Sequence, residues 1–150
     1  MRIRSVMKSA SSVHGEEIAD SALLGSRRTG QHITIPELIK ELHVPPAKRS
    51  AYACKKMTGA LHTFIRSIPA FKSGFDITDV LAVAKHASLQ TVDMNQTVFL
   101  QGEVGHEFYF VLQGSVSIEV DKKLIKVLGD KTSFGEISMQ FKCKRSASVR

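Results

Sequence analysis

Hydrophobic and polar positions change their rhythm once along this chain, near residue 89. Before that point apolar residues recur every three or four positions, the spacing of a helix face; after it they alternate, the spacing of a strand. The stretch ITIPELIKELHV (33–44) places Leu38, Ile39 and Leu42 on one face. Thr34 is a suitable cap, Pro36 fits a first helical turn, and Pro45-Pro46 stops the helix. AYACKKMTGALHTFIRSI (51–68) carries a stripe of Ala53, Met57, Leu61, Phe64 and Ile65. The loop PAFKSGFD leads to ITDVLAVAKHASL (77–89), where Ile77, Val80, Leu81, Val83 and Ala84 repeat at helical spacing behind Asp76 or Thr78 as cap. From Leu89 onward come LQTVDM (89–94), TVFLQ (97–101), EFYFVLQ (107–113), SVSIEV (115–120) and LIKVL (124–128), divided by turn material. In SVSIEV, Val116, Ile118 and Val120 point one way while Ser115, Ser117 and Glu119 point the other. Short strands in such close succession predict an antiparallel barrel or jelly roll. The fold class is therefore α+β, helices first and a rolled sheet afterwards.

Residues 1–33 lack either rhythm. They are rich in Ser, Gly and basic residues, including SASS and GSRRTG, and predict a disordered arm. Residues 34–68 form a helical segment, and the rest of the chain, 69–150, a further unit.

Charge adds a bias without a function. The net charge is +7, and residues 1–60 carry ten Lys/Arg against five Asp/Glu, whereas residues 61–150 carry eleven against nine. A basic surplus of this kind favours anionic partners in general. Nucleic acid is not the expected partner, because the charge is not organised around aromatic platforms and no helix-turn-helix follows the strands. With two cysteines, Cys54 and Cys143, far apart, no disulfide framework is indicated, and a cytoplasmic setting is expected. No apolar run approaches the ~18 residues that a membrane span needs. The six histidines show no pair at ligand spacing, so neither a metal nor another cofactor is expected. GDKTS (129–133) lacks the upstream glycine of a phosphate-binding loop, and no nucleophile-base arrangement can be argued from position. Nothing points to an enzyme.

The candidate chemistry lies in FGEISMQFKCKRSASVR (134–150). Gly135 allows positive φ or a close approach of ligand to backbone. Glu136-Ile137-Ser138-Met139-Gln140 can make one helical turn with free N–H groups. Arg145 supplies a planar fork for two phosphate oxygens, and Glu136 suits a hydroxyl donor such as a ribose 2′-OH. Ser146-Ala147-Ser148 keeps the wall small where a compact phosphate must fit. On chemistry alone, a turn closed by a Glu136–Arg145 surface ion pair is an equal reading, worth under ~1 kcal/mol.

This stretch resembles the phosphate-binding cassette of cyclic-nucleotide-binding domains, the modules of protein kinase A regulatory subunits, nucleotide-gated channels and bacterial catabolite activators. Phe134, Gly135, Glu136, Ile137, Ser138, Arg145, Ala147, Ser148 and Val149 fit the pattern, and TVFLQGEVGHEFYFVLQGSVSIEV fits its strand-turn-strand run. The resemblance covers about residues 64–150 and implies binding of cyclic AMP or cyclic GMP by a non-catalytic regulatory module. It implies that Glu136 accepts from the ribose 2′-OH, that Arg145 pairs with the cyclic phosphate, and that N–H groups of Gly135 and Ala147 complete the cradle. Ser146 follows the arginine, where its hydroxyl can reach the base. A protein effector such as a kinase catalytic subunit is implied as a partner. Lys142-Cys143-Lys144 and Lys131 depart from the pattern. The family's last two strands and lid helix have no counterpart, so residues 69–150 are expected to form a C-terminally truncated domain and an incomplete jelly roll. RSASV would then be left with an open ladder, and the alternative function is an interaction module that keeps the fold without binding nucleotide.

Overall fold

Thr34 begins the first helix as the sequence predicts, its backbone N–H donating to the Glu37 carboxylate at 2.7 Å. The structure, a computed structural model, describes residues 4–10, 33–67 and 76–150. Helix α1 runs Ile35–Leu42 and α2 runs Ala51–Ser67, with a 3-10 turn at Pro46–Lys48 between them. Helix α3 runs Ile77–His86; Asp76 caps it, accepting from the N–H groups of Thr78 at 2.7 Å and Asp79 at 3.0 Å. The expected helix reached residue 89, but α3 stops sooner. Arg49 explains the stop: its guanidinium donates to the carbonyls of Ala84 (2.7 Å) and Ala87 (2.9 Å), and also to Val44 (2.7 Å). The freed carbonyls at the end of α3 are thereby satisfied, and Ala87 turns extended into the sheet.

The strands are β1 (Arg4–Ala10), β2 (Ser88–Val92), β3 (Glu107–Gln113), β4 (Val116–Val120), β5 (Lys123–Leu128), β6 (Ser133–Phe134) and β7 (Ser148–Val149), with helix α4 (Glu136–Phe141) before β7. They form two antiparallel sheets, ordered β2-β1-β3-β6 and β5-β4-β7. The architecture is α+β: helices and an incomplete antiparallel jelly roll. Strand β3 is the common wall. Phe108, Phe110 and Leu112 face a core shared with α1, α2 and α3, including Leu38, Met57, Leu61, Ile65, Val80 and Val83. Tyr109 and Val111 face the other way, into a core with Val92, Phe99, Val116, Phe134 and Val149. Both faces of one strand are therefore buried, which is why EFYFVLQ reads as a nearly continuous apolar run.

Three expectations are corrected. Arg4–Ala10 lie in the arm expected to be disordered, yet they form a strand between β2 and β3, with Met7 opposite both Leu89 and Phe110. A sheet with an empty slot would expose two rows of unpaired backbone groups, and pairing removes that cost whatever the local propensity. Residues 1–3 and 11–32 of that arm, and the expected loop at 69–75, lie outside the described residues. Second, the expected strand at 97–101 is only a bridge, Phe99 to Val149, because the chain turns at Leu100–Glu103, where Gly102 takes φ +87°. Third, RSASV has no open ladder. The Val98 N–H donates to Val149 O (2.8 Å) and the Val149 N–H to Phe99 O (3.0 Å). On the other side, the Arg150 N–H donates to Ser117 O at 3.0 Å, and Val149 is only 1% exposed. Among the described residues, no helix is long and apolar enough to cross a membrane.

Because β1 is bonded on both sides, proline at its centre must remove a ladder bond and leave a carbonyl unpaired. Met7→Pro should cost about 1–3 kcal/mol and lower the thermal midpoint by roughly 2–4 °C per kcal/mol. An unchanged melt would show that β1 does not belong to the sheet.

Candidate functional site

The candidate cleft is built where β6 turns into α4. Gly135 takes φ +83°, ψ 0°, a left-handed conformation that lets the chain reverse there. A side chain would not fit in any case: a Cβ on Gly135 would lie 2.8 Å from Arg145 Nη1 and 3.3 Å from the Glu107 carbonyl. Helix α4 then carries Glu136 on its first turn and ends at Lys142, which is left-handed at φ +50°. The chain returns to place Arg145 beneath the helix, with the Arg145 N–H donating to Glu103 O and the Gly102 N–H to Arg145 O, both at 2.8 Å.

Arg145 is only 4% exposed. Its Nη1 donates to Gly135 O at 2.7 Å and to Ser138 Oγ at 2.6 Å, while Nη2 donates to Glu107 O at 2.9 Å. The Glu107 carboxylate stands 3.9 Å from Nη2, and the guanidinium carbon lies 4.1 Å from the centre of the Phe99 ring. Gly105 is the floor of this arrangement, since a Cβ there would overlap the guanidinium. The Nε–H of Arg145 has no hydrogen-bond partner.

Glu136 presents the complementary chemistry. Its Oε2 is buried and accepts no hydrogen bond, and no ion pair joins it to Arg145 among the described residues. The surface ion pair that chemistry alone left as an equal reading is therefore absent. Around the cleft stand Phe134, Gly135, Glu136, Ile137, Ser138, Arg145, Ser146 and Ala147. Ser148, expected in the same set, stands outside it; its hydroxyl accepts from the Gln101 N–H at 2.9 Å and so braces the neighbouring loop. Phe134 is buried, its ring stacked on Tyr109 at 5.0 Å and 4°. Ser138 is buried too, its hydroxyl donating to Gly135 O at 3.2 Å while it accepts from Arg145.

Sequence reasoning missed the opposite wall. Phe99, Ile118, Lys126, Leu128 and Ser133 complete the lining with Val149, a residue of the sequence pattern; the pairing of β4 with β5 and β7 brings Ile118, Lys126, Leu128 and Val149 there, Phe99 is bridged to Val149, and Ser133 comes from β6. It also missed Glu107, whose main-chain carbonyl holds Arg145 and leaves no mark in sequence. Gly105 was legible only as part of the strand-turn-strand run.

Comparison with known proteins agrees with this geometry. The family model of the cyclic nucleotide-binding domain matches residues 89–150. The chain is 26% identical over 125 residues to the mouse potassium/sodium hyperpolarization-activated cyclic nucleotide-gated channel 2, which takes in 83% of this chain and 14% of the channel. It is 33% identical over 60 residues to the Rap guanine nucleotide exchange factor 1 of Caenorhabditis elegans, 40% of this chain and 6% of that protein. The chain thus spans a small part of the curated relatives it matches. Among solved structures, the regulatory domain of Toxoplasma gondii protein kinase A, crystallised with cAMP, superimposes with a TM-score of 0.54 at 23% identity, covering 61% of this chain and 36% of that one. The regulatory subunit of a cAMP-independent protein kinase A from Trypanosoma brucei gives 0.52 at 23% identity, covering 69% and 38%. These likenesses carry the fold. Residues 89–150 are thus similar to the cyclic nucleotide-binding domain family, whose model they match.

Proposed function

We propose that the cleft between α4 and the β4–β5 wall binds a cyclic nucleotide, and that the domain is a non-catalytic regulatory module in the cytoplasm acting on a partner protein. One observation carries the reading. A buried carboxylate oxygen without a partner and a buried guanidinium with a free Nε–H converge on a single cleft. A ligand that offers a hydroxyl donor and an anion satisfies both, and a ribose cyclic phosphate offers them in one small molecule. Glu136 accepts from the 2′-OH, and Arg145 meets the phosphate. Binding then competes with the carbonyls of Gly135 and Glu107 for the same guanidinium, so occupancy loosens α4 from β3 and shifts the balance between two packings.

A second reading has its own support. Three protein acceptors already serve Arg145, which suits a module that keeps the fold and takes no nucleotide. Calorimetric titration with cyclic AMP and cyclic GMP separates the two. Under the first reading heat is released, and Arg145→Lys costs on the order of 2–4 kcal/mol of binding, because an ammonium lacks the two-pronged fork. Glu136→Gln costs less, since an amide oxygen still accepts. Melting curves taken alongside keep loss of fold apart from loss of contact. An Arg145→Lys protein that is folded and binds as tightly as the parent contradicts the assignment.

Gly105→Ala tests the floor of the site. The added methyl displaces the guanidinium, so nucleotide affinity should fall about tenfold or more, equivalent to 1.4 kcal/mol. Equal affinity in the variant would mean that the buried position of Arg145 is not the one that binds.

A further inference from the structure

Strand β5 is an edge of the sheet β5-β4-β7, and it exposes aliphatic side chains on the face where its neighbours are polar. The register shows how they come together. Val127 stands opposite Ser117 and Leu124 opposite Glu119, and Ser117 and Glu119 share one face of β4. Leu124 and Val127 therefore share that face although they are three residues apart, because the ladder shifts between Ile118 and Glu119. Ile125 is the extra residue at the shift. Leu124, Ile125 and Val127 are 61%, 60% and 59% exposed, and none belongs to either core. Beside them on this face lie Ser117 and Glu119 of β4 and Ser148 of β7.

The charge around this stripe is positive and uncompensated. Asp121-Lys122 is the two-residue turn between β4 and β5, and Lys122, Lys123 and Lys126 are all exposed. None of the three has an ion pair among the described residues. The nearby acids are engaged elsewhere: Glu119 stands 3.7 Å from Arg150 Nε, and the Asp121 carboxylate accepts from the Gln101 side-chain amide at 3.1 Å. Lys122 holds φ +64° after Asp121 at +50°. A two-residue turn with positive φ at both positions favours glycine at the second, so the lysine stands there at a conformational cost. An acidic strand added to the β5 edge would meet the lysines, but lysines along an edge oppose strand addition, and the outward aliphatic groups would stay in water. A lipid surface covers both. Aliphatic tips enter the boundary between headgroups and acyl chains while the long lysine stems reach anionic headgroups. We propose that the β4–β5 hairpin docks the protein on an anionic lipid surface. This inference does not depend on the nucleotide-binding reading.

Sedimentation of the full chain with vesicles tests the proposal, using phosphatidylcholine alone and phosphatidylcholine with about 30% phosphatidylserine. The protein should bind the second and not the first, and raising salt to about 0.5 M should weaken binding by roughly tenfold or more. Lys122→Gln/Lys123→Gln should weaken it by about tenfold or more, since each lysine near such a surface contributes roughly fivefold. Ile125→Thr/Val127→Thr keeps β-branched residues in the strand and should also weaken it, by about tenfold. Lys126 stays unchanged throughout, because it lines the cleft. Lys122→Gly relieves the turn, so it should raise the thermal midpoint while weakening vesicle binding about fivefold, a combination that a folding defect does not produce. Equal binding to both kinds of vesicle, or to neither, overturns the proposal. Parent-like binding by both double variants also overturns it and moves the contact to another basic surface, such as residues 1–60. Loss in the lysine pair alone, with the threonine pair binding like the parent, would assign the hairpin to a soluble polyanion and overturn the lipid surface as its partner.

Discussion

A guanidinium almost wholly removed from water is the constraint around which the C-terminal half is organised. Burying an unpaired charge costs several kcal/mol, so a buried arginine persists only where acceptors are aimed at it. Arg145 draws its acceptors from separate places: Glu107 at the start of β3, Gly135 at the turn into α4, and Ser138 within α4. None of these is a carboxylate at hydrogen-bond distance, and main-chain carbonyls do most of the compensating. The positions that permit this are glycines. Gly105 and Gly135 leave space that any Cβ would fill, and Phe99 covers the guanidinium face.

Through Glu107 this arrangement reaches the rest of the molecule. Strand β3 carries the Arg145 contact at its first residue, and further along the same strand Phe108, Phe110 and Leu112 seat the three helices. The opposite face places Tyr109 against Phe134, one residue before Gly135. Strand β1 lies along β3, with Ala10 opposite Glu107 and Lys8 opposite Tyr109. A change in what Arg145 holds is therefore mechanically adjacent to the helical layer and to the N-terminal strand.

Much of this was legible in the sequence, and the exceptions share a cause. Helix caps at Thr34 and Asp76, the alternation of β4 and the turn at Gly135 are encoded within a few residues, so local rules find them. The cassette residues were legible as a pattern of types at a spacing. What escaped depends on partners distant in the chain. RSVMKSA has too little apolar character to announce a strand, and becomes one because a slot between β2 and β3 accepts it. Arg49 looks like one more surface cation until the end of α3 is brought beside it. The expected open edge at RSASV failed for the same reason, since Val98, Phe99 and Ser117 arrive there from elsewhere.

The side-chain Nε–H of Arg145 is the most direct probe of the central claim, because it is buried at the cleft and has no partner. Its nitrogen-15 resonance can be assigned by its loss in Arg145→Lys and followed during titration with cyclic GMP. The account predicts a shift that saturates with the same midpoint as the calorimetric isotherm, and little or no shift with linear 5′-GMP, whose phosphate is not tied to the ribose 3′ oxygen. Saturable binding of cyclic GMP that leaves this resonance unmoved would contradict it, and would place the ligand somewhere other than the Arg145 cleft.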